Sequence, residues 1–215
     1  MTVDAPGDTT GPGLPPGVPA EIAAEVAAVE VGAVVAPDRP VAFVGLMASG
    51  KSSLGKRVAA ALGIPFVDAD REIERRHGRT VPEIFAADGE SAFRVIEEQV
   101  IADLVADPQV RVIATGGGAV LSPATRRALR ESAIVVWLRA QPGILAARVK
   151  PDGSRPLLAD DPRGTLERLI VERGPLYAEV AHHVIDVDGG DRRVLLRQVL
   201  AAVCPAPTAS EEPSR

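Results

Sequence analysis

Short apolar runs separated by longer amphipathic stretches set the plan of this chain. The runs at 41–44, 65–67, 110–114, 134–138 and 183–187 are too short for helices and too continuous for half-exposed strands, so each predicts a strand buried on both faces. Between them, apolar positions recur at helical spacing over 53–62, 70–77, 81–87, 91–106, 122–130, 142–149, 163–180 and 191–203. Strands that alternate with helical crossovers demand an α/β fold, a parallel sheet covered by helices on both faces. Ligands of such a sheet gather at the carboxyl ends of its strands. No internal repeat interrupts the pattern.

The ends differ from the middle. Residues 1–38 are rich in Pro, Gly, Ala and Thr and predict a disordered N-terminal extension, although a short helix fits 19–30. Residues 204–215 predict a frayed C-terminal tail, which leaves 39–203 as one folded domain. At 215 residues and 46% hydrophobic, the chain can bury one substantial core. A net charge of −5 with 3% aromatic residues offers neither a basic stripe nor stacking platforms, which argues against a nucleic-acid partner. No apolar run approaches the roughly 18 residues that cross a bilayer, and a single cysteine, Cys204, suits a reducing cytoplasm, so a cytoplasmic protein with no membrane partner is expected. His77, His182 and His183 have no partners at metal-ligand spacing.

Against this background, Gly45-Leu46-Met47-Ala48-Ser49-Gly50-Lys51-Ser52 carries the strongest chemical signal. It follows the first strand and opens the first core helix, the setting a phosphate-binding loop requires. Glycines let backbone N–H groups curl around a phosphate at the positive end of the helix. Lys51 would reach the β- and γ-phosphates, and the Ser52 hydroxyl would ligate Mg²⁺. Thr115 and Gly116 follow the third strand where a phosphate-loop enzyme usually carries its metal-linked acid, so the acid must come from elsewhere. Asp68-Ala69-Asp70 closes the second strand. In an extended backbone both carboxylates would lie on one side with Cα atoms about 7 Å apart, one for metal and one for substrate. Otherwise Asp70 would cap the next helix.

Three further stretches carry candidate chemistry. Gly116-Gly117-Gly118 permits close backbone approach at the binding edge and can donate N–H groups to an anion or hydroxyl. Arg94 lies on a predicted helix that begins near Glu90; its planar fork suits a substrate carboxylate, with Glu97 or Glu98 orienting it from the next turn. Residues 150–163 are dense in Pro, Gly and charge and read as a lid in which Arg155 would meet the transferring phosphate. Arg173 is a further candidate cation, with Pro175 expected to interrupt the long helix beside it.

In this order, the motifs resemble the shikimate kinase family, within the nucleoside-monophosphate-kinase-like branch of P-loop proteins. The resemblance runs from about residue 40 to about residue 200. It rests on the phosphate loop, Asp68-Ala69-Asp70, Phe93-Arg94 with Glu97, Gly116 to Gly118, Ser154-Arg155-Pro156-Leu157-Leu158, and Arg173-Gly174-Pro175-Leu176-Tyr177. It implies a three-layer α/β/α sandwich with a five-stranded parallel sheet of order 2-3-1-4-5, a lid, and transfer of the ATP γ-phosphate to the 3-hydroxyl of shikimate with Mg²⁺. It further implies that Met47, Ala48, Ser49, Gly50, Lys51, Ser52 and Ser53 hold ATP, with Arg148 stacking on adenine and Arg155 on the phosphates. Ser52 and Asp68 would serve the metal. Asp70 would bind the acceptor hydroxyls, Arg94 and Arg173 would clamp its carboxylate, Gly116, Gly117 and Gly118 would line its ring, and Phe85 with Phe93 would form an apolar wall. Lys51, Asp70 and Arg155 are the catalytic candidates, and the resemblance implies a monomer. Ala48 departs from the family's frequent glycine and needs a backbone conformation that tolerates Cβ; Ser53 stands where threonine is common. Rival expectations are a relative acting on gluconate or a cyclitol, and a catalytically inactive nucleotide-binding regulator.

Overall fold

The computed structural model describes residues 18–29, 35–149 and 161–204. Its strands are β1 (Val41–Val44), β2 (Phe66–Asp68), β3 (Val112–Ala114), β4 (Ile134–Arg139) and β5 (His183–Asp186). They form one sheet of order β2-β3-β1-β4-β5, with every pairing parallel. Its helices are α1 (Ala20–Ala27), α2 (Lys51–Leu62), α3 (Ala69–His77), α4 (Val81–Ala106), α5 (Pro123–Ser132), α6 (Pro142–Arg148), α7 (Pro162–Val180) and α8 (Arg192–Val203). Helices α2 and α8 pack on each other and on the sheet, while α4, α5 and α7 make the other layer. Every residue of β1 is fully buried, as a central strand covered from both sides must be. Register aligns Phe43 with Ala114 and with Val136, so β1, β3 and β4 end nearly level. That levelling puts the loops after β1 and β3 side by side.

Several boundaries move from their predicted places. The second strand does not stay extended through Asp70: α3 begins at Ala69, and Asp68 is its N-cap, accepting from the Arg71 N–H at 3.4 Å. Asp68, not Asp70, therefore has the capping position, because the strand's hydrogen-bonded register with β3 ends at Asp68. The two helices read at 81–87 and 91–106 are both present within α4, joined across a kink at Gly89, whose backbone is not helical (φ 81°, ψ 171°). A capping box starts α4: the Thr80 hydroxyl accepts from the Glu83 N–H, and the Glu83 carboxylate accepts from the Thr80 N–H at 2.7 Å. Pro175 does not interrupt α7, which runs through it. The carbonyl that loses its N–H partner belongs to Val171, whose side chain is 78% exposed, so water can replace the bond. A 3₁₀ turn at Ala119–Leu121, not read in the sequence, follows the glycines.

The ends are also more structured than their composition suggests. Within the stretch expected to be disordered, α1 is a helix packed on α2: Glu25 pairs with Arg57 and lies 3.9 Å from Arg192, and Val29 is buried. Cys204 closes α8 and packs on the core, where burial raises its thiol pKa. The remainder of the two predicted tails and most of the predicted lid, Arg155 included, lie outside the described residues.

Candidate active site

The loop after β1 is shaped by what its backbone must avoid. A Cβ on Gly45 would sit 2.6 Å from the Leu138 carbonyl oxygen, and Gly45 has a φ of 136°, so only glycine fits. Gly50 (φ 93°) then turns the chain into α2, and Lys51 is its first helical residue. Lys51 is buried and donates to the Gly45 and Leu46 carbonyls at 2.8 and 2.9 Å, which pins its ammonium across the loop. Ala48 is the one non-glycine with positive φ (63°) among the described residues, so the conformation expected of it is adopted at a steric cost. Ser49 Oγ is buried with no hydrogen-bond partner among the described residues, and the Met47 side chain packs on the core edge. Ser53 is occupied from behind: Arg57 Nη1 donates to its carbonyl at 2.8 Å and to its hydroxyl at 3.0 Å.

Ser52 and Asp68 meet at the end of β2. The Ser52 hydroxyl donates to Asp68 Oδ2 at 2.5 Å, joining the loop to the neighbouring strand end. At the end of β3, Thr115 and Gly116 supply no acid, and the Thr115 hydroxyl is spent on the Phe43 carbonyl at 3.0 Å. Asp70, the second residue of α3, is partly buried; burial raises its pKa, the Asp68 carboxylate adds to the rise, and Lys51 works against it.

The second half of the site is built around the glycines. A Cβ on Gly116 would fall 2.5 Å from Glu97 Oε1 and 3.0 Å from Asp70 Oδ1, and a Cβ on Gly118 would fall 2.6 Å from the Arg94 guanidinium carbon. Asp70, Glu97 and Arg94 therefore press directly on this backbone. Arg94 Nη1 donates to Glu97 at 2.5 Å and Nη2 to Glu90 at 3.0 Å. Glu98 turns away and accepts from Ser122 at 2.5 Å, which leaves Glu97 as the orienting acid of the two anticipated. Burial raises the Glu97 pKa against the pull of Arg94. Phe85 and Phe93 stack with ring centroids 4.5 Å apart, and Arg94 lies over the Phe93 ring.

Arg173 reaches the same backbone from α7. It is buried, and its Nη1 donates to the Gly117 carbonyl at 3.4 Å; the Tyr177 hydroxyl donates to the same oxygen at 2.5 Å. Burial drives the Tyr177 pKa up, so it remains a donor. Tyr177 carries no role in the sequence pattern beyond its motif; its place four residues after Arg173, on the same helical face, is the signal for one. Arg94 Nε, Arg173 Nε and Glu97 Oε1 are each buried without a hydrogen-bond partner among the described residues, although Glu172 lies 3.6 Å from Arg173. Unsatisfied buried polar atoms are costly unless a ligand completes them. Arg148 stands apart, donating to the Val187 and Asp188 carbonyls at 2.6 and 3.4 Å beyond the end of β5.

Among the described residues, no cluster of three or more His, Cys, Asp or Glu side chains could hold a metal, and no helix is long and apolar enough to cross a membrane. A parallel sheet with a phosphate loop after its central strand, and Asp70, Arg94, Glu97 and Arg173 gathered on the glycine backbone beside it, defines a P-loop nucleotide-binding protein with a second polar site. The family model described as shikimate kinase matches residues 47–204. The chain is 46% identical over 177 residues to a shikimate kinase of Burkholderia thailandensis, covering 80% of this chain and 96% of that protein. It is 45% identical over 174 residues to one of Rhodopseudomonas palustris, covering 79% and 85%. The solved structure of shikimate kinase from Acinetobacter baumannii in complex with shikimate superposes with a TM-score of 0.72 at 39% identity, covering 75% of this chain and 90% of that one. This chain belongs to the shikimate kinase family.

Proposed function

We propose that this protein transfers the γ-phosphoryl group of ATP to the 3-hydroxyl of shikimate, giving shikimate 3-phosphate and ADP. The observation that carries the acceptor reading is the pair of cations, Arg94 and Arg173, set around one short stretch of glycine backbone with Asp70 and Glu97 beside it. Buried nitrogens on both arginines without hydrogen-bond partners suit a carboxylate, and a neutral polyol would leave that charge unanswered. The Asp70 carboxylate accepts the attacking hydroxyl's hydrogen bond, and its raised proton affinity suits it to take the proton as the new P–O bond forms. The bond from the γ-phosphorus to the β,γ-bridging oxygen breaks and ADP leaves. Lys51 neutralises phosphate charge, and the loop from Met47 to Ser53 supplies N–H donors. Arg148 is placed on the adenine side, and Arg155 on the phosphates, by resemblance alone.

Ser52 and Asp68 suit Mg²⁺: a hydroxyl and one carboxylate within 2.5 Å of each other are oxygen donors for an ion that takes few protein ligands. Bound there with ATP, Mg²⁺ would neutralise the β- and γ-phosphate oxygens. A cytoplasmic monomer that engages no nucleic acid or membrane completes the reading.

The test is ADP release with MgATP, measured with shikimate, gluconate, quinate or no acceptor. Stimulation by shikimate alone, lost in Asp70→Asn and Arg94→Ala, is the expected result. A folded protein that binds ATP but is stimulated by gluconate, or by nothing, overturns the assignment.

A further inference from the structure

We propose that Glu90 is a displaceable occupant of the acceptor-carboxylate position, holding Arg94 until the substrate's own carboxylate exchanges for it. This rests on the reading of Arg94 as an acceptor clamp. The Arg94 guanidinium has two unequal partners. Glu97, with 3% of its side chain exposed, grips Nη1 at 2.5 Å from the next turn of α4 and faces Asp70 and Gly116, so it belongs to the permanent frame. Glu90, one turn earlier, takes Nη2 at 3.0 Å with 61% of its side chain exposed. The guanidinium carbon is backed by Gly118, which closes one face of the group. Nη2, the nitrogen that Glu90 takes, is the guanidinium atom nearest Gly118, and the exposed Glu90 carboxylate reaches it from the solvent side.

Charge favours exchange over addition. Arg94 and Arg173 stand by the carboxylates of the buried Glu97 and the partly buried Asp70, and Glu90 brings a third carboxylate to the cluster. A substrate carboxylate arriving beside a retained Glu90 would meet direct repulsion, whereas one that replaces it leaves the total charge unchanged. Glu90 can leave at little cost, because its own carboxylate is mostly in water already and Arg94 keeps the buried Glu97 as a partner. Gly89, with φ 81° and ψ 171°, breaks the helix immediately before Glu90, so Glu90 opens the segment that carries Arg94. Until substrate arrives, a partly desolvated arginine is not left without a counter-ion.

The measurement is the KM for shikimate and for ATP in wild type, Glu90→Gln and Arg94→Ala. Glu90→Gln keeps shape and removes charge, so it should lower the KM for shikimate two- to fivefold, about 0.4–1 kcal/mol at 1.4 kcal/mol per tenfold, with the KM for ATP unmoved. A role confined to helix stability would shift thermal midpoint and leave the acceptor KM where it was. An unchanged or raised KM for shikimate in Glu90→Gln, with Arg94→Ala raising it at least tenfold, overturns the exchange and keeps the clamp. An Arg94→Ala protein that binds shikimate as well as wild type overturns the clamp itself, and the exchange with it.

Discussion

Gly118→Ala should disable the acceptor half of the site while leaving fold and nucleotide half intact. Gly118 has ordinary backbone angles (φ −97°, ψ −4°), so alanine imposes no conformational strain. Its methyl group would nevertheless stand 2.6 Å from the Arg94 guanidinium carbon, where ordinary contact begins at 3.4 Å. The guanidinium must retreat by at least about 0.8 Å at its carbon and further at Nη2, which lies nearer still, and it is the far end of a flexible side chain, so retreat costs little stability: within about 1 kcal/mol, or a few degrees in thermal midpoint. Positioning errors near 1 Å cost on the order of a hundredfold in rate. The kcat/KM for shikimate should therefore fall about thirty- to a hundredfold, with the KM for ATP within about twofold of wild type. The assay is steady-state ADP release across both substrates, with thermal melting as the folding control. A well-folded Gly118→Ala enzyme whose kcat/KM for shikimate stays within about threefold of wild type would refute the placement of Arg94 against that backbone as a requirement for acceptor binding.

Ala48→Gly should raise thermal stability slightly: relief of a left-handed non-glycine costing about 1–2 kcal/mol outweighs roughly 0.4–1 kcal/mol of added unfolded-chain entropy and part of one methyl's burial. The net is about 0.5 kcal/mol, or a rise of 1–2 °C by calorimetry; a fall would show that Ala48 is not strained. His182 Nδ1 accepts the Val135 N–H at 3.0 Å, and burial, with Arg39 and Arg130 nearby, lowers its pKa below 6.5. The unfolded chain thus takes up the proton first, so this contribution to stability is present above about pH 6.5 and is lost as pH falls below it. Melting between pH 7.5 and 5 should show a shallower acid decline in His182→Asn than in wild type, and parallel declines would remove His182 from the account.

The parts of this protein legible in its sequence are those fixed by local rules. Buried parallel strands read as apolar runs because both faces are covered, and the phosphate loop reads because its glycines and lysine must be contiguous. Arg94 and Glu97 were legible as a pair because three residues is one helical turn. Asp68-Ala69-Asp70 misled, since extended spacing and a helix start fit the same three residues and only the length of β3 decides between them. Pro175 misled because the cost of proline depends on whether water reaches the carbonyl it frees. The contact of Gly118 with Arg94 and that of Tyr177 with Gly117 cross the fold, and no periodicity announces them.

The docked first helix separates two boundaries that are easily conflated. The family match begins at residue 47, yet Glu25, well upstream, supplies a carboxylate to Arg57, whose side chain is only 11% exposed, on the back of the phosphate-loop helix. A protein trimmed just before β1 would keep the whole sheet with Lys51, Asp70, Arg94 and Arg173, yet lose the α1 seam and the Glu25 carboxylate that Arg57 pairs with. Homology marks where ancestry is visible; the edge of the cooperative unit lies wherever the last buried charge finds its counter-ion, and here that is before the shared sequence starts.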